Sequence, residues 1–479
     1  MEHLFDKLKC YGSSDIYPYH MPGHKRQISG KLPQEFCKMD ITEIESFDNL
    51  HQPEGILREL QNKAASLCGA EESFYLVNGS TGGILSAVSA AVPVGGHILM
   101  ARNCHKSVYH AAYLRKLKIS YLYPNVLEEF DISEAVTPEQ VRFALEREAD
   151  IDAVLVVSPT YEGRIADIRG IAQAVHEKGI PLIVDEAHGA HLGLSSEVHE
   201  NSCRAGADIV IQSTHKTLPA LTQTALLHVN GNRVNRDLLR RFLHIYQTSS
   251  PSYLLMASID NALYFAETNG KTAFAEFRQQ YGEMLGRLAQ CRHLRFPEPN
   301  DEKQDMGKLV ISVKNADITG KQLYDILLKK YHLQTEMATE SYVLAMFTVG
   351  DSHEGYDRMT KALLEIDRRL GVSALSETDE EGNDFGTAEK KNAVEALPLS
   401  EAWDAKTEEI LLHDAAGRYA GEFVNLYPPG IPVLVPGEKV TEELSSRMFR
   451  WLQQGLTVQG IEIREGKHLI RVLKNENGK

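Results

Sequence analysis

The sequence predicts an α/β protein in which a mainly parallel sheet is covered by helices on both faces. Apolar strand-like runs alternate with amphipathic helical segments from residue 70 to residue 230. One of these runs, Ala153 to Val157, is apolar throughout and rich in β-branched residues, which is typical of a buried parallel strand. Several runs end in short polar segments, and open α/β sheets bind ligands at the carboxyl ends of their strands. The sequence therefore predicts a functional site at those strand ends.

Length and composition restrict the class of protein. A chain of 479 residues, of which 43% are hydrophobic, is long enough for a large core and more than one domain. The net charge of −15 argues against nucleic-acid binding. The six cysteines form no C-x-x-C pair, which indicates reduced thiols and no structural zinc site. No apolar run approaches the roughly 20 residues that span a membrane, and the N-terminus lacks an apolar signal core. We therefore expect a cytoplasmic protein with neither a nucleic-acid nor a membrane partner.

Composition and periodicity divide the chain into five segments. An N-terminal arm at 1–55 precedes a large α/β domain at 56–290 and a small α+β domain at 291–375. The acidic stretch at 376–391 is almost without apolar residues and is predicted to be a linker. A C-terminal domain follows at 392–479.

The first strand of the large domain is predicted at Phe74 to Val77, and it runs into the glycine-rich segment NGSTGG at 78–83. A helix of small residues, Ile84 to Ala91, follows. Exposed N–H groups and the helix dipole favour a phosphate at such a turn, and the hydroxyls of Ser80 and Thr81 add donors. A glycine-rich turn without a ligand is the alternative.

A histidine stands between the second predicted strand, His97 to Met100, and a helix at Val108 to Leu117. This residue, His105, lies where a side chain can stack on a bound ring. A capping histidine is the alternative.

An acid closes a later buried strand, Pro181 to Val184. Burying the carboxylate of Asp185 is costly unless it has a partner, and a protonated pyridine nitrogen would be one. A helix cap is one alternative, and a metal site formed by Asp185, His188 and His191 is another.

A lysine lies between the last two apolar runs of the sheet, Asp208 to Ile211 and Thr224 to Val229. With Ser213, Thr214 and His215 immediately before it, Lys216 suits a lysine that is fixed, partly desolvated and able to condense with an aldehyde as a Schiff base. An exposed loop lysine is the alternative.

Helical periodicity continues beyond these strands. Separate helices are expected at Arg233 to Tyr246, at Tyr253 to Glu267 and at Lys271 to Gln290. A further helix is expected at Ser400 to Leu412 in the C-terminal domain.

Four features come in an order that suits one cofactor. A pyridoxal 5′-phosphate (PLP) enzyme needs a phosphate anchor, an imidazole on the ring, a carboxylate that keeps the pyridine nitrogen protonated and a lysine for the aldehyde. Ser80 with Thr81, His105, Asp185 and Lys216 supply these in turn. The sequence therefore predicts PLP as the cofactor and no metal.

The chain resembles the bacterial ornithine/lysine/arginine decarboxylase family, which has the aspartate-aminotransferase type of PLP-dependent transferase fold. That fold has a mainly parallel, seven-stranded sheet and smaller α+β C-terminal domains, the last being the decarboxylase C-terminal domain. The motifs that carry the resemblance run through nearly the whole chain: MPGHK at 21–25, NGSTGG at 78–83, RNCHKS at 102–107, SPTYEG at 158–163, DEAHGAH at 185–191, STHKTL at 213–218, TSSPSY at 248–253 and YPPGIPVLVPGE at 427–438.

The resemblance implies a role for each site residue. Lys216 would form the Schiff base, Asp185 would pair with the pyridine nitrogen, and His105 would stack on the ring. The residues implied to hold the phosphate are Ser80, Thr81, Gly82 and Ser213.

Further roles follow from the same resemblance. His215 would lie by the Schiff base as a candidate proton donor, and His188 would lie near the phenolic oxygen of the ring. Ser249 or Ser250, in the TSSPSY loop, would contact the cofactor of a partner subunit. Glu422, preferred over the acid just after the YPPGIP turn, would face the basic end of the substrate, although an exposed glutamate is an equal alternative.

The implied reaction is PLP-dependent α-decarboxylation of a basic amino acid to CO₂ and agmatine or a diamine. The MPGHK motif begins at residue 21, which leaves no room for an N-terminal receiver-like domain. That architecture favours arginine over lysine or ornithine, and a homodimer or dimer of dimers over a decamer. An aminotransferase or lyase of the same fold is one alternative, and a PLP-binding regulator without catalysis is another.

Overall fold

The computed structural model describes residues 2–298, 301–371, 397–428 and 430–474. The predicted linker at 376–391 therefore lies outside the described residues. Within the described ranges, no helix combines the length and the apolar character that crossing a membrane requires.

The helices, numbered in chain order, are α1 (Leu4–Gly12), α2 (Gln34–Met39), α3 (Ile56–Cys68), α4 (Gly79–Ala91), α5 (Lys106–Arg115), α6 (Pro138–Arg147), α7 (Ile168–His176), α8 (Thr214–Thr217), α9 (Arg236–Tyr246), α10 (Tyr253–Leu288), α11 (Gly320–Tyr331), α12 (His353–Asp367), α13 (Leu399–Ala402) and α14 (Glu442–Gln453).

The strands are β1 (Glu72–Leu76), β2 (His97–Ala101), β3 (Lys118–Leu122), β4 (Val126–Leu127), β5 (Ile132–Ser133), β6 (Ala153–Val157), β7 (Leu182–Asp185), β8 (Ile209–Gln212), β9 (Ala225–Val229), β10 (Lys308–Ser312), β11 (Met337–Ala338), β12 (Tyr342–Met346), β13 (Thr407–Leu411), β14 (Val424–Leu426), β15 (Ile431–Leu434), β16 (Val458–Gln459), β17 (Ile461–Arg464) and β18 (Lys467–Leu473).

Seven strands form the central sheet in the order β1-β9-β8-β7-β6-β2-β3. The pairings that link β3, β2, β6, β7 and β8 are parallel, whereas β9 is antiparallel to both β8 and β1. Strand β1 therefore runs in the same direction as the parallel five. Strands β7 and β8 are buried along their whole length, as expected for a sheet that is covered on both faces. The predicted mainly parallel α/β sheet is confirmed.

Two predicted helices differ from the structure. The expected break between Glu267 and Lys271 does not occur, because α10 is one continuous helix of 36 residues. Gly270, between the two predicted helices, is buried inside it and packs near the ring of Phe274. The helix expected at Ser400 to Leu412 is also wrong. Only α13 is helical there, and the second half forms β13, which pairs with β18 at the C-terminus.

Contacts between segments that are distant in sequence join the C-terminal domain to the residues that follow strand β2. The guanidinium of Arg102, just after β2, is fully buried and forms an ion pair of 3.1 Å with Glu438. Arg102 also donates to the carbonyl oxygen of Pro432 at 2.6 Å. The N–H of Lys106 donates to the carbonyl oxygen of Gly430 at 3.2 Å. These contacts fix the YPPGIP turn against the first turn of α5.

Candidate active site

The predicted site residues follow the carboxyl ends of the strands that share one direction. Because β1, β2, β7 and β8 run in the same direction, the segments after them lie along one edge of the sheet. Segments from residues as far apart as 78 and 216 are thereby brought together.

Lys216 lies on the single helical turn α8, directly after β8. Its Nζ lies 2.9 Å from Nε2 of His188. Burial lowers the pKa of Lys216, while the charge of Asp185 opposes that shift. A larger fraction of the amine is therefore neutral and nucleophilic than for an exposed lysine.

His188 is the hydrogen-bond acceptor for this lysine. Burial, with the nearby charge of Lys216, holds the pKa of His188 well below its usual range, so the imidazole is neutral. Its ring also packs edge-on against Tyr161, with 4.9 Å between the ring centroids. Among the described residues, the buried Nδ1 of His188 has no hydrogen-bond partner. That atom is available to a ligand.

Asp185 closes β7 and is 4% exposed. Burial raises the pKa of its carboxyl group, and the charge of Lys216 and the N–H of Ala187, 3.1 Å from Oδ1, oppose the shift. Its carboxylate therefore has less compensation from the protein than a fully buried charge ordinarily requires.

The acid next to it, Glu186, has more hydrogen-bond donors, although burial still raises its pKa to about 7. Its Oε1 accepts from Nε2 of Gln212 at 2.6 Å, and its Oε2 accepts from the N–H of Ser202 at 2.8 Å and from the Ser202 hydroxyl. Gln212 in turn accepts from Nε2 of His228 at 3.0 Å. Sequence reasoning did not identify this buried network, which lies outside the predicted site.

His105 precedes α5 and caps it, because the N–H of Ser107 donates to Nδ1 at 3.2 Å. The hydrogen of the neutral ring is then on Nε2. Burial and the charge of Lys216 lower the pKa of His105 to about 4. Gly430 lies against the ring, since a Cβ added there would be 3.6 Å from Nε2. His105 therefore caps α5, and its stacking on a cofactor ring stays a prediction.

The predicted phosphate residues lie in the first turn of α4. This helix begins at Gly79, five residues earlier than expected, so the glycine-rich motif forms its N-terminus. The hydroxyls of Ser80 and Ser213 lie 2.5 Å apart, and Ser213 follows β8. Thr81 is exposed and Gly82 is buried. Two hydroxyls at a helix N-terminus form a suitable anion site.

The remaining predicted site residues are more distant from Lys216 or differently engaged. His215 donates from Nδ1 to the carbonyl oxygen of Thr224 at 2.8 Å. Ser249 and Ser250 are exposed on the loop between α9 and α10.

Glu422 belongs to a different part of the molecule in the single chain. Its Oε1 accepts from Nε1 of Trp403 at 3.0 Å and from the N–H of Phe423 at 2.9 Å. Its assignment to the substrate stays a prediction. The other acid of that segment, Glu438, has a structural role as the buried partner of Arg102.

The residues of the alternative metal site, Asp185, His188 and His191, do not form one cluster. His191 lies 3.0 Å from Oδ1 of Asp305, whereas His188 is bonded to Lys216. Within the described ranges, no group of three or more His, Cys, Asp or Glu side chains is arranged to hold a metal ion.

Two charged groups near Lys216 were missed at the sequence level. Lys308 is completely buried, 3.8 Å from Oδ2 of Asp305, and its charge lowers the pKa of Lys216. Its position at the start of an apolar run is the feature of the sequence that could have indicated its burial. Glu336 is exposed, accepts from the Tyr161 hydroxyl at 2.6 Å, and acts on Lys216 in the opposite direction. No local sequence pattern marks Glu336.

These groups fit PLP. The amine of Lys216 suits the aldehyde, the incompletely bonded Asp185 suits a protonated ring nitrogen, and the paired hydroxyls of Ser80 and Ser213 suit the phosphate. The free Nδ1 of His188 leaves one further donor for an oxygen of the ring.

Comparisons with known proteins agree with this geometry. The family model described as Orn/Lys/Arg decarboxylase, major domain, matches residues 3–344, and the model for the C-terminal domain of that family matches residues 387–460. An arginine decarboxylase of Bacillus subtilis is 33% identical over 99% of this chain and 98% of its own length. A solved lysine decarboxylase of Francisella novicida superimposes with a TM-score of 0.81 at 17% identity, over 98% of this chain and 81% of that one. A high-resolution structure of SPT with PLP superimposes with a TM-score of 0.52 at 14% identity, over 65% of this chain and 76% of that one. The predicted PLP-enzyme fold is thereby confirmed.

Proposed function

The chain belongs to the ornithine/lysine/arginine decarboxylase family, and from that premise we propose that it removes the α-carboxyl group of a basic amino acid with PLP as cofactor. Arginine is the favoured substrate, because relatives that match over nearly their whole length are arginine decarboxylases. The products are then CO₂ and agmatine. The observation that carries the proposal is the amine of Lys216, hydrogen-bonded to a neutral His188 and close to the buried Asp185.

PLP, when bound, supplies an electron sink for the bond between Cα and the departing carboxyl group. Asp185 holds a proton at the ring nitrogen, because a buried carboxylate is stabilised by a positive partner. Ser80 and Ser213 bind the phosphate, and His105 packs on the ring. Each of these residues is fixed by the end of a strand or the start of a helix, so the cofactor is oriented before substrate arrives.

Lys216 and His215 are the residues that move protons in this proposal. Burial lowers the pKa of Lys216, so its amine, when free, would be able to accept and return a proton. His215 donates from Nδ1 to the Thr224 carbonyl, which makes Nε2 the nitrogen that exchanges protons.

A homodimer is the assembly that the TSSPSY loop favours. Ser249 and Ser250 are exposed in the single chain, and the loop follows Gln247, whose Oε1 accepts from the N–H of Val77 at 2.9 Å. Val77 directly precedes the phosphate motif, so the loop starts near the cofactor edge of the sheet. In the proposed dimer Ser249 or Ser250 contacts the partner's phosphate. Sedimentation of a fully active monomer would contradict this assembly. A cytoplasmic location agrees with six free cysteines.

The test is incubation of the purified holoenzyme with arginine, lysine and ornithine, followed by measurement of CO₂ and amines. Arginine should give agmatine, and borohydride should fix the cofactor on Lys216. Lys216→Ala should abolish turnover and the label while keeping some non-covalent cofactor. Keto-acid formation without CO₂ would favour an aminotransferase, and bound cofactor with no turnover would favour a regulator.

A further inference from the structure

A further cavity is lined by residues of the large, small and C-terminal domains. Its polar lining includes Asn103, Asp131, Glu162 and Tyr342, and its volume is about 50 Å³. Neither the sequence motifs nor the roles derived above account for this space.

The cavity lining adjoins residues of the Lys216 site along the chain. Glu162 lines the cavity and directly follows Tyr161, the residue that packs on His188. Met337 lines it as well and directly follows Glu336, which accepts from the Tyr161 hydroxyl. Tyr161 therefore contacts His188 and Glu336 through its side chain and precedes Glu162 in the chain.

The lining also adjoins His105 along the chain. Asn103 lines the cavity two residues before His105, and Ile431 lines it one residue after Gly430. Gly430 lies against the His105 ring. Segments on both sides of this contact therefore contribute to the cavity lining.

Glu162 is a buried acid that lacks a cationic partner. It is 8% exposed, and no ion pair joins it to a basic side chain among the described residues. Its Oε1 accepts from the Tyr342 hydroxyl at 3.1 Å, and the other stabilising contacts come from the Thr160 hydroxyl and a backbone N–H. Burial raises the pKa of Glu162 because these neutral donors do not offset the loss of water.

Other acceptors face the same space. Asn103 is 8% exposed, and its Oδ1 has no hydrogen-bond partner in the described part of the chain. Asp131 adds a second carboxylate, of which Oδ1 is paired with Nζ of Lys314 at 3.1 Å. An acid without a cation and an orphaned carbonyl oxygen both call for a donor-rich, positively charged ligand.

We propose that this cavity, rather than the surroundings of Glu422, binds the guanidinium end of the substrate, with Glu162 as its charged partner and Asn103 as a second acceptor. The proposal rests on the proposed decarboxylase function. A guanidinium is favoured over an ammonium because it carries five N–H donors in a plane and can satisfy separated acceptors together.

The experiment measures binding and turnover separately. Agmatine is titrated calorimetrically onto the holoenzyme and onto Glu162→Gln, which keeps the shape and removes the charge. We expect at least about a thirtyfold loss of agmatine affinity, a similar rise in KM for arginine, and an unchanged cofactor absorption spectrum. Glu129→Gln is the matched control, because it removes an exposed carboxylate on the turn between β4 and β5 that does not line the cavity, so agmatine affinity should be retained.

The outcomes distinguish this proposal from the proposed function. Turnover of arginine with an unchanged KM and agmatine affinity in Glu162→Gln overturns the cavity assignment and leaves the function standing. Agmatine binding that depends on Glu162, with no turnover of any basic amino acid, does the reverse. If Glu162→Gln does not fold, Asn103→Leu replaces it. That variant should weaken agmatine binding about tenfold, and unchanged affinity overturns the assignment.

Discussion

Two neighbouring acids, Asp185 and Glu186, show how the same residue type serves opposite purposes at one strand end. Both are almost fully buried. Glu186 receives hydrogen bonds from Ser202 and Gln212 at both oxygens, whereas the carboxylate of Asp185 receives the backbone N–H of Ala187. Within the described residues, the protein therefore supplies hydrogen bonds to both oxygens of the Glu186 carboxylate, but to one oxygen of the Asp185 carboxylate. A buried carboxylate with few donors has a stability cost unless a ligand offsets it, which is why we propose Asp185 as the functional acid.

The end of the neighbouring strand, β8, shows the same division between a stabilising residue and a predicted site residue. Gln212 ends β8 and belongs to the Glu186 network, while Ser213 meets Ser80 at the phosphate site. The side chains of successive residues in a strand point to opposite faces of the sheet. Gln212 can therefore belong to the stabilising network while the next residue, Ser213, faces the predicted site. The comparison predicts that a variant of Asp185 changes kcat, whereas variants of the Glu186 network change the free energy of unfolding.

The largest effect is expected for Asp185→Asn. The amide keeps the shape of the side chain and loses the charge that holds a proton on the ring nitrogen. We expect kcat to fall at least about a thousandfold, equivalent to about 4 kcal/mol of barrier. The melting temperature should not fall, because an uncompensated buried charge is removed. Stopped assays at full cofactor occupancy measure this, and near-normal kcat would remove Asp185 from its role.

Glu186→Ala should have the opposite profile. It leaves the N–H and hydroxyl of Ser202 and the amide of Gln212 without their acceptor. We expect a loss of about 3 kcal/mol in the free energy of unfolding, since each buried unsatisfied group costs about 1–3 kcal/mol and the costs are not additive. Urea unfolding measures the loss, and kcat below the transition should change little. A large fall in kcat with unchanged stability would contradict the division between the two acids.

The smallest effect concerns pH and His228, at the far end of the same network. Burial lowers the pKa of His228 to about 3, so the folded protein excludes the charged form that the unfolded chain adopts near pH 6.5. Above about pH 6.5 the titration of His228 therefore does not reduce the free energy of unfolding. As the pH falls from 6.5 toward 3, it reduces that free energy progressively. Between pH 6.5 and pH 5 the expected loss is about 2 kcal/mol.

Urea unfolding of the wild type and of His228→Gln at both pH values isolates this contribution, because other titrating groups are common to both proteins. The variant should lose less stability than the wild type on acidification. Equal losses would show that His228 is charged in the folded state.

The site could be predicted from sequence where it depends on strand ends. Ser80, His105, Asp185 and Lys216 follow strands that share a direction, so the alternation of strands and helices was sufficient to bring their segments to one edge. Their individual roles toward PLP stay predictions.

The rest depends on how separate segments dock. Glu336 and Lys308 reach the site from the small domain, and the Glu162 cavity is closed by Leu426, Ile431 and Val433 of the C-terminal domain. No local periodicity encodes such contacts. The C-terminal segment at Ser400 to Leu412 was misassigned for a related reason. Its second half is a strand because β18, some sixty residues later, provides the partner.

The contacts of Arg102 also constrain the order in which the protein matures on the ribosome. Pro432 and Glu438, which receive its hydrogen bonds, are translated more than 300 residues after it. The same turn of the chain carries Gly430, which packs on His105 and accepts from Lys106. The large domain can therefore collapse early during synthesis, but the wall beside the stacking histidine is finished only when the last part of the chain emerges. A chain that ends before residue 430 would lack these contacts of Arg102, His105 and Lys106.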